Sequence, residues 1–502
     1  MGEYCGSRHC ADPEPRPRGA MARRTKIVCT LGSASDSERV LEGMVAAGMD
    51  VARVNLSYGC REEVRARVER LKRVRTRLKS HVALMFDTKG PEVRTGALAD
   101  GRPVRLVAGM RFTLTPRAVE GTARIVSQTY PELARHVEPG TVILLDSGRI
   151  ELAVDEVVDG DVVCTVQTTG ELGSHKALNV PGTPLDLPAI TDADRDDILY
   201  GIEAGIDYLA LSFVRDAACV EEARAFLVQH GGSGIKIIAK IEDAEGVENL
   251  DEIVAAADGV MIARGDLGLE VPFERVPGIQ HRVVTACNRG YKPVIVATQI
   301  LDSMVRNPNP TRAEVADVAS AIADGADALL LSVGTAAGKY PVEAVRALDK
   351  VACAAEEGLD ESAHLDDHAR NAAEGVVSSV AIAAAQTAER VGARCIVTPT
   401  MEGKTARMVS SFRSALPVYA VTPREETARR LMLYWGVTPL IGDVEGPADK
   451  VIANARQALV DAGLLAVGDI AVFTAGDRAT SPVVGSSTMT NMMYVVQVKE
   501  QA

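Results

Sequence analysis

The chain has 502 residues, enough for about three domains of roughly 150 residues each. Its hydrophobic fraction of 47% and charged fraction of 25% are those of an ordinary water-soluble protein. A net charge of -13 argues against a nucleic-acid or anionic-membrane binder, because both partners call for surplus cations, yet it leaves phosphorylated small molecules open to local Lys and Arg. The 9 cysteines are odd in number and contain no CxxC pair, so they fit neither a disulfide framework nor a zinc site. They point to a reducing compartment, by default the cytoplasm. No apolar run reaches the ~18 residues of a membrane span. Residues 1–22 carry prolines and charges without a hydrophobic signal core and read as a disordered tail, with Met21 an alternative start to Met1.

From residue 23 the sequence repeats a short apolar run, a turn and an amphipathic helix. In chain order the expected strands are Ile27–Thr30, Val51–Leu56, Val82–Asp87, Tyr208–Phe213, Lys236–Ile241, Gly259–Ala263, Val294–Thr298 and Ala328–Ser332. Helical patterns between them end at glycines such as Gly48 and Gly325. Such a series of β-α units predicts a (β/α)8 TIM barrel over 23–90 and 187–354, with its site at the C-terminal strand ends. Residues 91–186 are rich in Val, Thr, Gly and Pro, with a hairpin pattern across Val142–Leu152. They read as an all-β domain inserted after the third strand, on the catalytic side, where it can act as a lid. The polar stretch 356–371 introduces a C-terminal α/β domain over 355–502, with strands near Cys395–Thr398, Val418–Val421, Ile470–Phe473 and Tyr494–Val498.

Charged and polar residues gather at the ends of these apolar strands. Side chains alternate along a strand, so Lys240 and Glu242 share a face, roughly 6 to 7 Å apart along the backbone. A salt bridge alone would explain a surface Lys-x-Glu. Here the strand is apolar on both faces, and its neighbour ends in Arg264-Gly265-Asp266, another charged terminus that a single bridge does not explain. Arg53, Asn55 and Ser57 share one face of the second strand, and the third strand ends in Asp87-Thr88-Lys89, with Arg94 beyond. Oxygen donors of this kind suit a hard cation, and the arginines suit phosphate or carboxylate.

Several longer runs then carry a resemblance. The segments Thr25–Gly32, Asp87–Gly96, Ala239–Glu242, Ala263–Gly268 and Pro310–Val315 resemble the pyruvate kinase family, in family order, over a match that runs from about residue 23 to the end. The resemblance implies transfer of a phosphoryl group from phosphoenolpyruvate to ADP, giving pyruvate and ATP at the final step of glycolysis. Glu242 and Asp266 would hold Mg²⁺ (or Mn²⁺), Lys240 would stabilise the moving phosphoryl group and the enolate, and Arg53 would grip the phosphate. Asn55, Ser57, Asp87 and Thr88 match the family's K⁺ ligands, and Glu92 is the residue of its K⁺-dependent members. Thr298 matches the threonine beside the enolate face that takes up the proton, through a water relay. The backbone of Ala263, Arg264 and Gly265 would bind the substrate carboxylate. Asp146 and Lys176 of the lid, with Arg94, match positions that close over the nucleotide.

The resemblance also implies a cytoplasmic homotetramer with a phosphorylated allosteric effector. Thr398, Thr400, Gly403, Lys404 and Thr405 match the family's effector loop, and Gly485–Asn491 its second loop. Three places depart from the family pattern: Gly334 replaces the usual glutamate in Ser332-Val333-Gly334-Thr335-Ala336, and Tyr58 and Ser33 replace a histidine and a proline. In the effector loop, Glu402 stands where the family usually has serine and brings a negative charge. Another phosphoenolpyruvate or pyruvate enzyme, such as a lyase or aldolase, could use the same carboxylate pair, though the inserted domain would then go unexplained. A ligand-binding sensor with weakened catalysis is the other alternative, prompted by Gly334.

Overall fold

The computed structural model describes residues 23–359, 375–476 and 490–499; the expected N-terminal tail and most of the second effector loop lie outside them. Eight parallel strands close a barrel in chain order: β1 (Lys26–Thr30), β2 (Val51–Asn55), β3 (Ala83–Asp87), β4 (Tyr208–Leu211), β5 (Lys236–Ile241), β6 (Gly259–Ala263), β7 (Val294–Ala297) and β8 (Ala328–Leu331). Each strand is apolar on both faces because each face has its own core. Ile237, Ala239 and Ile241 of β5 face outward into the layer shared with the helices, whereas Ile238 joins Val28, Met85, Met261, Ile295 and Leu330 inside the barrel. This parity carries Lys240 and Glu242 inward at the C-terminal end.

Between β3 and β4 the chain builds a separate six-stranded sheet, in the order Leu178–Asn179, Val142–Leu145, Ile150–Val158, Asp161–Val166, Arg111–Thr115 and Ile125–Ser127. Phe112, Leu114, Ile143, Leu152 and Val162 fill its own core. The expected hairpin is present. Its turn takes Asp146, Ser147 and Gly148 through positive φ of 52°, 56° and 77°, a left-handed run that only the glycine adopts without steric cost. The sheet touches the barrel at one edge, where Asn179 Nδ2 donates to Glu270 Oε1 at 2.8 Å.

A five-stranded sheet forms the C-terminal unit in the order β11 (Val437–Ile441), β10 (Val418–Thr422), β9 (Cys395–Pro399), β12 (Ile470–Ala475) and β13 (Met492–Gln497), with β13 the antiparallel edge. The strand β11 escaped the sequence reading. It carries Pro439, which lacks an amide donor, and it lies at the other edge of the sheet, where that donor is dispensable. Most of the polar stretch 356–371 lies outside the described residues, but its first residue, Glu356, is described. It sits in the last turn of the helix Pro341–Glu357, is buried, and accepts from the amides of Arg24 and Thr25 at 2.9 and 2.7 Å.

The C-terminal unit closes the N-terminal end of the barrel. Leu433 is fully buried among the barrel-interior side chains, in the same apolar cluster as Val51 and Ile238. Around it Arg429 Nε donates to Asp207 Oδ1 at 2.8 Å, Lys26 Nζ donates to the Val437 carbonyl at 2.7 Å, and Arg413 pairs with Asp327 at 3.1 Å. The barrel is therefore stoppered at one end and open to chemistry at the other. Among the described residues no helix is long and apolar enough to cross a membrane.

Candidate active site

Lys240 occupies the centre of the open end. Its Nζ donates to Ser212 Oγ at 2.6 Å and Asp87 Oδ1 at 3.0 Å, and pairs with Glu242 Oε1 at 3.0 Å. Burial disfavours the ammonium, but Asp87 and Glu242 outweigh that penalty and raise its pKa above the ordinary lysine value. The side chain stays charged, and fixed in position.

Across the mouth, Arg53 on β2 donates from Nε to Asp87 Oδ2 at 2.6 Å and from Nη1 to Thr30 Oγ1 at 2.9 Å. Asp87, only 1% exposed, thus stands between two cations. Burial pushes its carboxyl up, yet Arg53 and Lys240 prevail and hold it below the usual aspartate range. Glu242 has the opposite balance. Burial pushes it up to about 7, with Asp266 and Asp87 adding to the shift and Lys240 opposing it. Its Oε2 accepts from the Phe213 amide at 2.8 Å, and Phe213 itself has φ of 53°. Three carboxylates therefore face two cations, and the surplus negative charge lies between Glu242 and Asp266.

That surplus tests the fit of a divalent metal. Two carboxylates supply hard oxygen ligands, and among the described residues no larger group of His, Cys, Asp and Glu is gathered as a cage. Mg²⁺ prefers such a site, with one or two protein carboxylates and the remaining positions left to water and substrate oxygens. The residues expected to hold K⁺ are equally oxygen-rich. Asn55 and Asp87 are paired in register between β2 and β3, Asn55 Oδ1 accepts from the Ser57 amide at 2.9 Å, and Thr88 follows directly. Asp87 is shared, since Arg53 and Lys240 already take its two oxygens. Beside this set, Glu92 Oε2 accepts from Arg94 Nε at 2.7 Å, and Arg94 Nη1 reaches the His175 carbonyl of the inserted domain at 2.9 Å.

Thr298 follows β7 with φ of 66°, a conformation that a β-branched residue adopts only under constraint. Its Oγ1 accepts from the Gly265 amide at 2.7 Å. A Cβ added to Gly265 would meet Thr298 only at ordinary contact distances of 3.5 Å and beyond, so any need for glycine there comes from an incoming ligand. Ala263 is buried at the end of β6, and Arg264 turns its side chain away, onto Asp317. Opposite, Asp146 Oδ1 pairs with Lys176 Nζ at 2.9 Å in the inserted domain. A cavity of about 220 Å³ separates this domain from the barrel, lined by Glu92, Ser147 and Asn179 on one side and Phe213, Asp266 and Glu270 on the other.

Sequence reasoning missed Ser212, although it shares the inward parity of Tyr208 and Ala210. Its hydroxyl donates to the Thr88 carbonyl at 2.7 Å and its amide to Thr88 Oγ1 at 3.1 Å, so it ties Thr88 to Lys240. Gly334 is buried in the short helix Val333–Ala336, and a Cβ there would meet nothing within 4 Å. Its neighbour Thr335 donates to the Thr30 carbonyl at 2.9 Å, one step from the threonine hydroxyl that Arg53 holds. Tyr58, 72% exposed, lies outside the ligand set.

The effector-loop residues gather at the start of the helix Lys404–Ser411. Gly403, with φ of 83°, donates from its amide to Thr400 Oγ1 at 2.9 Å, and Thr405 Oγ1 meets Thr490 Oγ1 at 2.5 Å. The Thr398 hydroxyl is buried without a hydrogen-bond partner among the described residues. Lys404 pairs with Glu402 at 2.9 Å and lowers the glutamate pKa, which offsets the charge that set this loop apart.

Comparison with known proteins agrees with this fold. The family model for the pyruvate kinase barrel domain matches residues 22–345, and that for the pyruvate kinase alpha/beta domain matches residues 378–496. A pyruvate kinase of Staphylococcus saprophyticus is 44% identical over 481 residues, covering 95% of this chain and 81% of its own. One from Geobacillus stearothermophilus is 45% identical over 477 residues, covering 95% and 80%. The crystal structure of a Cryptosporidium parvum pyruvate kinase superposes with a TM-score of 0.89 at 35% identity, covering 95% of this chain and 96% of that one. The chain belongs to the pyruvate kinase family of phosphotransferases.

Proposed function

We propose that the barrel mouth moves the phosphoryl group of phosphoenolpyruvate to ADP and then protonates the enolate to give pyruvate. The observation that carries this reading is the Lys240 ammonium, fixed between Asp87, Ser212 and Glu242 beside a surplus of buried negative charge. Glu242 and Asp266 would hold Mg²⁺ or Mn²⁺, and the ion would supply Lewis-acid stabilisation of developing negative charge. Lys240 places its charge where negative charge develops in transfer, and because it is already oriented it costs no reorganisation during the step. Arg53 grips the phosphate while Asp87 and Thr30 hold its guanidinium plane. The Ala263, Arg264 and Gly265 backbone receives the substrate carboxylate, and Thr298 serves the proton relay. Asn55, Ser57, Asp87 and Thr88 would hold K⁺. Asp146, Lys176 and Arg94 close the inserted domain over the nucleotide and exclude water.

The same reading places the protein in glycolysis, in the cytoplasm, as a homotetramer with a phosphorylated effector at Thr398, Thr400, Gly403, Lys404 and Thr405. Sedimentation velocity tests the tetramer, and a single-chain species would refute it. Mn²⁺ binding followed by paramagnetic resonance tests the metal assignment. Glu242→Gln and Asp266→Asn should each weaken binding by at least about tenfold, since each removes one of two charged ligands. Unchanged binding in both variants would remove these carboxylates from the metal.

A further inference from the structure

Thr298, Gln299 and Leu301 have φ of 66°, 57° and 51°, three left-handed non-glycine residues within four positions. Such conformations are disfavoured and persist only where surrounding contacts impose them. At Thr298 the contacts come from one neighbour. Arg264 Nη2 donates to the Thr298 carbonyl at 2.8 Å, and the amide of the next residue, Gly265, donates to Thr298 Oγ1 at 2.7 Å. Backbone and hydroxyl are thus held from the same turn of chain.

Arg264 is itself held. Its Nη1 and Nη2 meet Asp317 Oδ1 and Oδ2 at 2.8 and 2.9 Å, a two-point pair that fixes both the distance and the plane of the guanidinium. Gln280 Oε1 adds a longer contact to Nη1 at 3.3 Å. Asp317 stands on the helix Arg312–Asp324 behind the barrel wall, and none of its hydrogen bonds reaches Lys240, Glu242 or Asp266. The Arg264 side chain is only 7% exposed, so without Asp317 it would be a buried cation that has lost its paired carboxylate, with Asp302 acting on it only through space. It would turn toward other acceptors and release the Thr298 carbonyl.

We propose that Asp317 is a positioning residue for proton uptake: by locking Arg264 it keeps Thr298 in its left-handed stance, with the hydroxyl aimed at the substrate face. The inference rests on the reading of Thr298 as part of the proton relay. In that step a C–H bond forms at the enolate methylene as an O–H bond of the relay breaks, and solvent water returns the proton to the relay. Phosphoryl transfer depends on Lys240 and Arg53, whose hydrogen bonds run to Asp87, Ser212 and Thr30 and not to Arg264 or Asp317, so the two half-reactions should separate when Asp317 is changed.

The test uses the full chain and the variants Asp317→Ala and Asp317→Asn, with two readouts. One is deuterium exchange into the pyruvate methyl group in the presence of Mg²⁺; the other is single-turnover ATP formation from phosphoenolpyruvate and ADP by rapid quench. Loss of the two-point charge-assisted pair should slow exchange on the order of 10- to 100-fold in Asp317→Ala. ATP formation and the KM for phosphoenolpyruvate should stay within about threefold of wild type. Asp317→Asn keeps one acceptor on Arg264 and should fall between the two. It also carries the comparison if thermal unfolding shows that the alanine variant does not fold. Equal loss in both readouts would reduce Asp317 to a general structural role and overturn the inference, as would exchange at the wild-type rate. A wild-type protein that forms no ATP would overturn the proposed function and this inference together, whereas an active wild type with an unaffected variant overturns the inference alone.

Discussion

Replacing Lys240 with methionine removes the ammonium while keeping an unbranched stem of similar length. With it go the hydrogen bond to Ser212 at 2.6 Å and the ion pairs with Asp87 and Glu242 at 3.0 Å. Removing one partner of a buried ion pair costs about 3–5 kcal/mol of stability. Two features place this case at the lower end. Asp87 keeps Arg53 at 2.6 Å, and Glu242, pushed up to about 7 even beside Lys240, relieves its own charge by taking a proton. The rate should suffer more. Loss of one neutral donor from a preorganised site costs about 10²- to 10³-fold, and a full charge in a water-poor site is worth more, so kcat should fall by at least about 10³-fold, or about 4 kcal/mol of barrier. Pyruvate formation followed by a coupled dehydrogenase measures this, with Mn²⁺ paramagnetic resonance to confirm that the metal still binds. Turnover within about tenfold of wild type would refute the role assigned to Lys240.

Asp87 sits below the ordinary 3.8 of a free aspartate, so its stabilisation is complete above that value and is lost as pH falls through the depressed one. Asp87→Asn should therefore flatten the acid side of the unfolding profile below about pH 4, and an unaltered acid limb would contradict the Arg53 and Lys240 balance. Leu433→Ala empties the stopper at the closed end of the barrel and should cost about 2–5 kcal/mol in denaturant unfolding. A smaller change would mean that the barrel interior collapses onto the gap. Gly334→Ala places a methyl in open space within a helix and should stabilise by about 0.4–1 kcal/mol, measured by thermal unfolding; destabilisation would contradict the space seen there. Gly334→Glu in the same background tests the departure at that position, with a rise in kcat expected and an unchanged rate showing that the carboxylate is dispensable.

The barrel was legible because its strands are short apolar runs at regular spacing, and the period-2 parity that put Lys240 and Glu242 on one face is the parity of its two cores. Long-range partners were not legible. Periodicity assigns a face but not a neighbour, so it could not pair Lys240 with Asp87, 153 residues away, or Arg264 with Asp317. Ser212 was invisible for a related reason: a lone serine within the expected strand Tyr208–Phe213 names no partner, and only the approach of Thr88 and Lys240 gives its hydroxyl a task. The proline in β11 hid an edge strand because the sequence does not say which strands are edges. Leu433 reads as one more apolar residue of the C-terminal domain, and its insertion into the barrel follows from how the two units pack.

The central claim is that two carboxylates, one fixed lysine and an oxygen-rich monovalent set together transfer a phosphoryl group to ADP. The most direct measurement is pyruvate formation from phosphoenolpyruvate by the wild-type chain, with ADP, Mg²⁺ and K⁺ each omitted in turn. The account predicts that removing ADP or the divalent cation abolishes pyruvate, and that replacing K⁺ with tetramethylammonium lowers the rate severely. Pyruvate released without ADP, or at full rate without the divalent cation, would contradict it.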